Sequence, residues 1–193
     1  SGVTGAIATN VAVPNGVVMI SPSATSPGLT DLNDNGYFFR TAPSDARGGQ
    51  ILADITKDRK VKSVAITYTN NDYGKGLADV YKAAVEAHGI KVTTVTAHED
   101  GKADYSAEVA TLASAGGDAV AVIGYIDQGG KGIIQASLDS GAFDVFILSD
   151  GMIGDSLTDR FGKNLNKSFG SLPGSTGKGA GKFAEVAKAG GID

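Results

Sequence analysis

The stretch that decides the fold is "DAVAVIG", Asp118 to Gly124. It is an unbroken apolar run between polar neighbours, the pattern of a strand covered on both faces. Working outward, "SVAITY" (63–68) is a shorter run of the same kind, and "DVFILSD" (144–150) is another. Between them lie helical periods. In "KGLADVYKAAVEAHGI" (75–90), Leu77, Val80, Tyr81, Ala84 and Val85 fall on one helix face, and Gly89 stands where a left-handed residue ends the helix. "KVTTVTA" (91–97) reads as a strand, and "DYSAEVATLASAGG" (104–117) as a helix closed by two glycines. "QGGKGIIQASLDSG" (128–141) is a weaker helix with an Ile133, Ile134, Leu138 stripe. Strands alternating with helices at this spacing predict an α/β fold: a doubly wound parallel sheet with helices on both faces, three layers in all.

The flanks are less regular. "TGAIATNVAV" (4–13) reads as a helix, followed by a "PNG" turn and the strand "VVMIS" (17–21). "LNDNGYFFRTAPSDARGGQ" (32–50) is rich in turn formers and marks a boundary. Beyond Ser156 the pattern suggests a short helix at "LTDRFG", a strand near "SFGSL", a loop at "GSTGKGAGK" (174–182) and a helix at "GKFAEVAKAGG".

Composition removes several function classes. The chain has 193 residues, 41% of them hydrophobic, enough to bury a core. A formal net charge of −4 with interspersed signs offers no basic stripe for a phosphate backbone, so no nucleic-acid partner is expected. No apolar run suits a bilayer-spanning helix, and the chain is not expected to insert in a membrane. Without cysteine there are no disulfides or thiolates, and two histidines make a zinc site an unlikely design; no metal or cofactor is expected. The chain opens without a signal peptide, directly on a helix-like segment, and it stops just after a helix terminator. It reads as a piece of something longer.

In an open parallel sheet, ligands sit in the crevice beyond the carboxyl ends of the strands. "SVAITY" leads to Tyr73, "AVAVIG" to Tyr125, "VFILS" to Asp150, and "VVMIS" to a hydroxyl cluster containing Ser21, Ser23 and Thr25. Each has a plainer reading: a loop-anchoring tyrosine, an Asp-Gly turn, a Ser26-Pro27 helix start. Together they mark one sheet edge as a site. Three decoys remain. "GDSL" (154–157) matches a lipase nucleophile block, but both histidines, His88 and His98, lie upstream of Ser156. "GSTGKGAGK" never completes a phosphate-binding loop, and "HEDGKAD" (98–104) lacks calcium-ligand spacing.

"GVVMISPSATSPGLTD", "YFFRTAPSDARGGQ", "NNDYGKGLA" and "DAVAVIGY", in this order, are similar to the branched-chain (Leu/Ile/Val) amino-acid-binding family, the type I periplasmic binding proteins of ABC transporters. The resemblance implies two α/β lobes that close on a small amino acid of the aliphatic kind. It implies further a transporter permease as partner, a periplasmic or extracellular location, and no enzymatic activity. Position by position, Ser1 resembles the serine that begins the carboxylate-binding helix. Ser23 through its backbone and Thr25 through its hydroxyl match the next two contacts. Tyr73, Tyr125 and Asp150 match second-lobe positions, with Asp150 where the family often has glutamate, while Asp45 follows the crossover and reads as structural. Against the family, residues 1–32 are a remnant of the first lobe, 33–48 the crossover, and 49–193 a nearly complete second lobe. A first-lobe aromatic contact is missing, so weak binding is expected of this chain, and the first-lobe strand is expected to carry unpaired backbone groups. Two rivals are a sensor or regulator built on the same fold and a hydrolase using Ser156.

Overall fold

The computed structural model describes residues 1–174 and 179–191. Its larger unit is a five-stranded, wholly parallel sheet in the order β4-β3-β5-β6-β7. The strands are β3 (Ser63–Thr69), β4 (Lys91–His98), β5 (Ala119–Ile123), β6 (Phe146–Leu148) and β7 (Phe169–Gly170). A smaller parallel pair, β1 (Met19–Ser21) with β2 (Phe38–Arg40), forms a second sheet.

Helices cover both faces of the large sheet, as the apolar runs predict. On one face α2 (Asp45–Asp58) and α3 (Asp72–Ala87) press Leu52, Leu77, Tyr81 and Val85 onto Val64, Ile66, Ala121 and Ile147. On the other, α4 (Ser106–Ala115), α5 (Lys131–Ser140) and α6 (Asp155–Phe161) pack Leu112, Ile133, Ile134 and Leu157 on Val120, Val122 and Phe146. All five residues of β5 are fully buried, which is why its sequence shows no alternation. Because β5 lies beside β3, on the side away from β4, the strand order reverses between β3 and β5. A crevice opens at the carboxyl ends of such a pair.

The turn-rich boundary holds more structure than its composition suggests. Asp34 accepts backbone hydrogen bonds from Gly36 (2.9 Å) and Phe38 (3.1 Å), and Asn35 and Gly36 take left-handed φ angles. This tight turn delivers β2 alongside β1. Ser44 then caps α2, accepting from the Ala46 N–H at 3.2 Å. The Gly48-Gly49 pair that disguises α2 as a loop serves close packing: a Cβ at Gly49 would stand 2.7 Å from Val80 of α3. So β2 and the start of α2 both lie within residues 33–48, and β2 supplies the strand that pairs β1.

At the other flank, α1 (Gly2–Ile7) continues through a π-type turn and a 3-10 turn to Asn15. Val17 and Val18 stay outside β1, so the strand is shorter than the expected 17–21. The helix expected from Gln128 starts at Lys131, because Gln128 and Gly129 leave helical geometry. α3 starts earlier than expected, at Asp72, where Asn71 accepts from the Gly74 N–H at 2.9 Å. α7 (Ala180–Ala189) begins inside the segment expected as a loop, 174–182, of which residues 175–178 fall outside the described ones.

Gly74 fixes how α3 meets the end of β3. A Cβ there would run into the Thr69 carbonyl oxygen and lie 2.8 Å from the Thr69 methyl. Gly74→Ala should therefore lower stability by about 1–3 kcal/mol, the usual cost of overpacking, in urea unfolding followed by circular dichroism. Unchanged stability would mean that α3 approaches β3 less closely than described.

Candidate functional site

The site forms where β3, β5 and β6 end. Tyr73 sits in the first turn of α3, placed there by the Asn71 cap, and only 4% of it is exposed. Its hydroxyl donates to Asp150 Oδ1 at 2.5 Å and lies 3.2 Å from Ser149 Oγ. Tyr125, directly after β5, stacks on it with ring centroids 5.0 Å apart and planes tilted by 31°. Asp150 opens a short 3-10 turn after β6. A side chain at Gly151 would collide with the Gly124 carbonyl and stand 3.1 Å from the Tyr125 ring, so the Asp-Gly pair is required by crowding as well as by turn geometry. The three residues expected at one sheet edge are in contact there.

Ser1 reaches the same place from the smaller unit. Its hydroxyl accepts from the Ser26 N–H at 3.1 Å, which ties the start of α1 to the hydroxyl-rich loop. Ser1, Gly2 and Val3 face Tyr125, Gly151, Asn71 and Asp127 across a cleft of about 820 Å³. A Cβ at Gly2 would lie 2.9 Å from Asp72 Oδ2, so α1 and α3 bring their N-termini together at the cleft wall. Thr25 is buried, its carbonyl accepting from the Asp45 N–H at 2.9 Å. Ser23 is exposed, and its N–H points back to Ser21 Oγ at 3.5 Å. Of the expected site residues only Ser1 and Tyr125 line this cleft; Ser23 and Thr25 do not, and Tyr73 and Asp150 stand behind its Gly151 wall. Arg40 straps the loop from β2, donating to the Ser26 carbonyl at 2.7 Å and to Thr30 Oγ1 at 2.5 Å.

Electrostatics concentrate on the floor. Burial, then the charge of Asp150 and its hydrogen bond, hold the Tyr73 phenol far above its ordinary range, so it stays a donor. Burial likewise raises Tyr125, with Asp150 adding to the effect. Asp45, in the first turn of α2, is pushed up to about 6, mainly by burial. Sequence reasoning passed over Asp45 as structural and over the wall residues Asn71, Asp72, Asp127 and Gln128. The only available signal for the wall was that they follow strand ends, as Tyr73 and Tyr125 do.

The decoys sit elsewhere. Ser156 is exposed in the first turn of α6. His88 pairs with Asp54 at 2.7 Å between α2 and α3, and His98 is buried with Nδ1 2.8 Å from Thr67 Oγ1. From "HEDGKAD", Asp100 accepts from Thr69 Oγ1 and Glu99 from Asn70, which fastens that turn to the end of β3.

With this geometry in place, the comparisons define the class. The family described as "Receptor family ligand binding region" matches residues 4–182, and the chain belongs to it. More particularly, a Leu/Ile/Val-binding protein homolog of Brucella melitensis is 40% identical over 136 residues, covering 66% of this chain and 37% of that one. A leucine-, isoleucine-, valine-, threonine- and alanine-binding protein of Pseudomonas aeruginosa is 35% identical over 132 residues, covering 67% of this chain and 35% of its own. A leucine-binding protein of Thermotoga maritima superposes with a TM-score of 0.82 at 24% identity, covering 97% of this chain and 54% of the other. That likeness confirms the type I periplasmic binding fold. The chain thus spans well under half the length of these curated relatives.

His98 offers a check on the packing behind the site. Burial holds its imidazole below the ordinary 6.5, against the opposing pull of Asp100, Glu108 and Glu99. As pH falls through 6.5, the unfolded chain takes the proton first. The stability tied to neutral His98 is therefore complete above pH 6.5 and declines below it, by at most about 1.4 kcal/mol per pH unit. Asp45, raised in the folded chain, pulls the other way over the same range in both proteins, so the stability difference between wild type and His98→Gln, measured from pH 7.5 to 5, should change with this slope. Equal slopes in both proteins would contradict the burial of a neutral ring.

Proposed function

We propose that this chain is the ligand-capturing part of a solute-binding protein that delivers a small amino acid to an ABC importer, and that it is not an enzyme. The observation that carries this reading is the contact set at the strand-reversal crevice: Tyr125 and Gly151 face Ser1 across the cleft, and Tyr73 and Asp150 are joined to each other directly behind them. Asp150 supplies a carboxylate for the ligand's ammonium, held in place by the Tyr73 hydroxyl. Ser1, on the cleft wall, offers a donor for the α-carboxylate. The resemblance assigns the Ser23 backbone and the Thr25 hydroxyl to the same clamp, but in this structure the Ser23 and Ala24 N–H groups are taken by Ser21 Oγ and Thr25 is buried beside Asp45. The binding names of the Brucella and Pseudomonas relatives support an aliphatic amino acid as ligand.

The rest of the assignment follows from the same likeness. Residues 1–32 belong to the first lobe, 33–48 to the crossover and 49–193 to the second lobe. The protein works in the periplasm or outside the cell and docks on a membrane permease. Among the described residues no helix is long and apolar enough to cross a membrane. The family's description as a receptor region also fits a sensing domain, in which the same capture step feeds a signal instead of transport. A hydrolase reading lacks a base for Ser156, since both histidines are committed elsewhere.

Calorimetry with L-leucine, L-valine and L-alanine tests the capture step. Asp150→Asn keeps the shape but removes the counter-ion, and losing one partner of a desolvated charge pair costs about 2–5 kcal/mol. Affinity should fall at least tenfold, while an analogue without the amino group, such as 4-methylpentanoate, should bind wild type and variant alike. Equal affinity of both proteins for the amino acid would overturn the assignment.

A further inference from the structure

Asp45 plays no part in the capture chemistry above, yet its surroundings suit a ligand-responsive group. It is only 5% exposed, and its Oδ2 has no hydrogen-bond partner among the described residues. A buried carboxyl oxygen without a partner is costly, and such atoms are few in native proteins. Asp45 shares with Asp150 and Ser149 the lining of a small cavity of about 30 Å³, enough for one water-sized group. Asp150 in turn is fixed by Tyr73, which stacks on Tyr125 at the cleft wall. Asp45 and Asp150, the residue proposed to meet the ligand, thus line one small cavity separate from the open cleft.

Among the described residues no cationic side chain forms a direct ion pair with Asp45. From the loop after β1, the Thr25 hydroxyl hydrogen-bonds to it and favours its ionised form. From β2, Arg40 pulls the same way, but its guanidinium is engaged by the Ser26 carbonyl and Thr30. From the β6 end, Asp150 opposes ionisation, and burial opposes it most of all. Tyr73 and Tyr125 face the pair as neutral phenols, and Asp100 lies close enough to Tyr125 to raise it further. A carboxyl in this position holds its proton into the mildly acidic range, at about 6.

We infer that in mildly acidic surroundings Asp45 carries a proton while the cleft is empty and gives it up when a primary ammonium settles beside Asp150, so that ligand capture and proton release are linked. The inference rests on the capture reading above. The proton leaves the Asp45 carboxyl for solvent, and the ligand's ammonium keeps its own three. The entering positive charge replaces the proton as the group that balances the second carboxylate. Affinity then rises with pH, by about tenfold between pH 5 and 7 for a group that titrates near 6 when the cleft is empty. An acidified surrounding would loosen the ligand, and a neutral one would retain it.

Two measurements test this. In the ligand-free chain, carbon-detected NMR of the aspartate carboxyls should give Asp45 a midpoint near 6, and Asp150→Asn should lower it. A midpoint below 5 in the ligand-free wild type overturns the inference. Calorimetry with L-leucine, L-valine and L-alanine at pH 6, in two buffers of different ionisation enthalpy, should show release of about half a proton per ligand bound. Asp45→Asn should bind with no proton release and with little pH dependence between 5 and 7. Binding by wild type without proton release overturns the linkage and leaves the capture reading standing. No binding of any of the three amino acids by the folded chain overturns both.

Discussion

The cleft depends on one hydroxyl group. Tyr73 Oη donates to Asp150, touches Ser149 and receives the Gly151 N–H at 3.4 Å, so a side chain from the start of α3 fixes the end of β6. Ser149 extends the tie by accepting from the Gly124 N–H at 3.2 Å, which brings in the end of β5. Three strand ends are thus held in register by a connected set of hydrogen bonds in a largely buried space, where each bond is stronger than in water and each loss more costly. Burial and the neighbouring carboxylate hold the phenol above its ordinary range, so the donor persists into alkaline solution.

Parallel strand order explains why these residues meet. The reversal between β3 and β5 sends α3 to one face and the turn after β5 toward the other, which opens a crevice between them. Glycines then let the backbones close in: Gly151 approaches the Gly124 carbonyl, and Gly74 the end of β3. The result is a floor of carboxylates and phenols that favours a positively charged group, opposite hydroxyl groups from the smaller unit. A zwitterion would match both halves, as the proposed capture of an amino acid requires.

Much of this was legible in the residues. The fully apolar run of β5 and the amphipathic period of α3 announce a sheet covered on both sides, and strand ends name Tyr73, Tyr125 and Asp150 directly. What stayed hidden is instructive. α2 was masked by Gly48 and Gly49, whose purpose is contact with Val80, a partner far away in sequence. β2 was masked by its brevity and by the turn formers around it, and only its pairing with β1 makes it a strand. Asp45 reads as an ordinary helix-start acid; its unpartnered, buried oxygen is a property of the packing around it and leaves no mark on local sequence. The position of Ser23, turned toward Ser21 and away from the cleft, is equally a matter of loop geometry.

The central claim is that the ligand sits at the joined ends of β3, β5 and β6. Amide chemical-shift mapping of the labelled chain during titration with L-leucine tests it most directly. The account predicts that the largest shifts fall on Tyr73, Tyr125, Asp150 and Gly151, with Gly2 and Val3 following from the facing wall. Shifts that instead cluster in the groove between α4 and α5, around Tyr105, Gly132 and Gln135, would place the ligand elsewhere and contradict it.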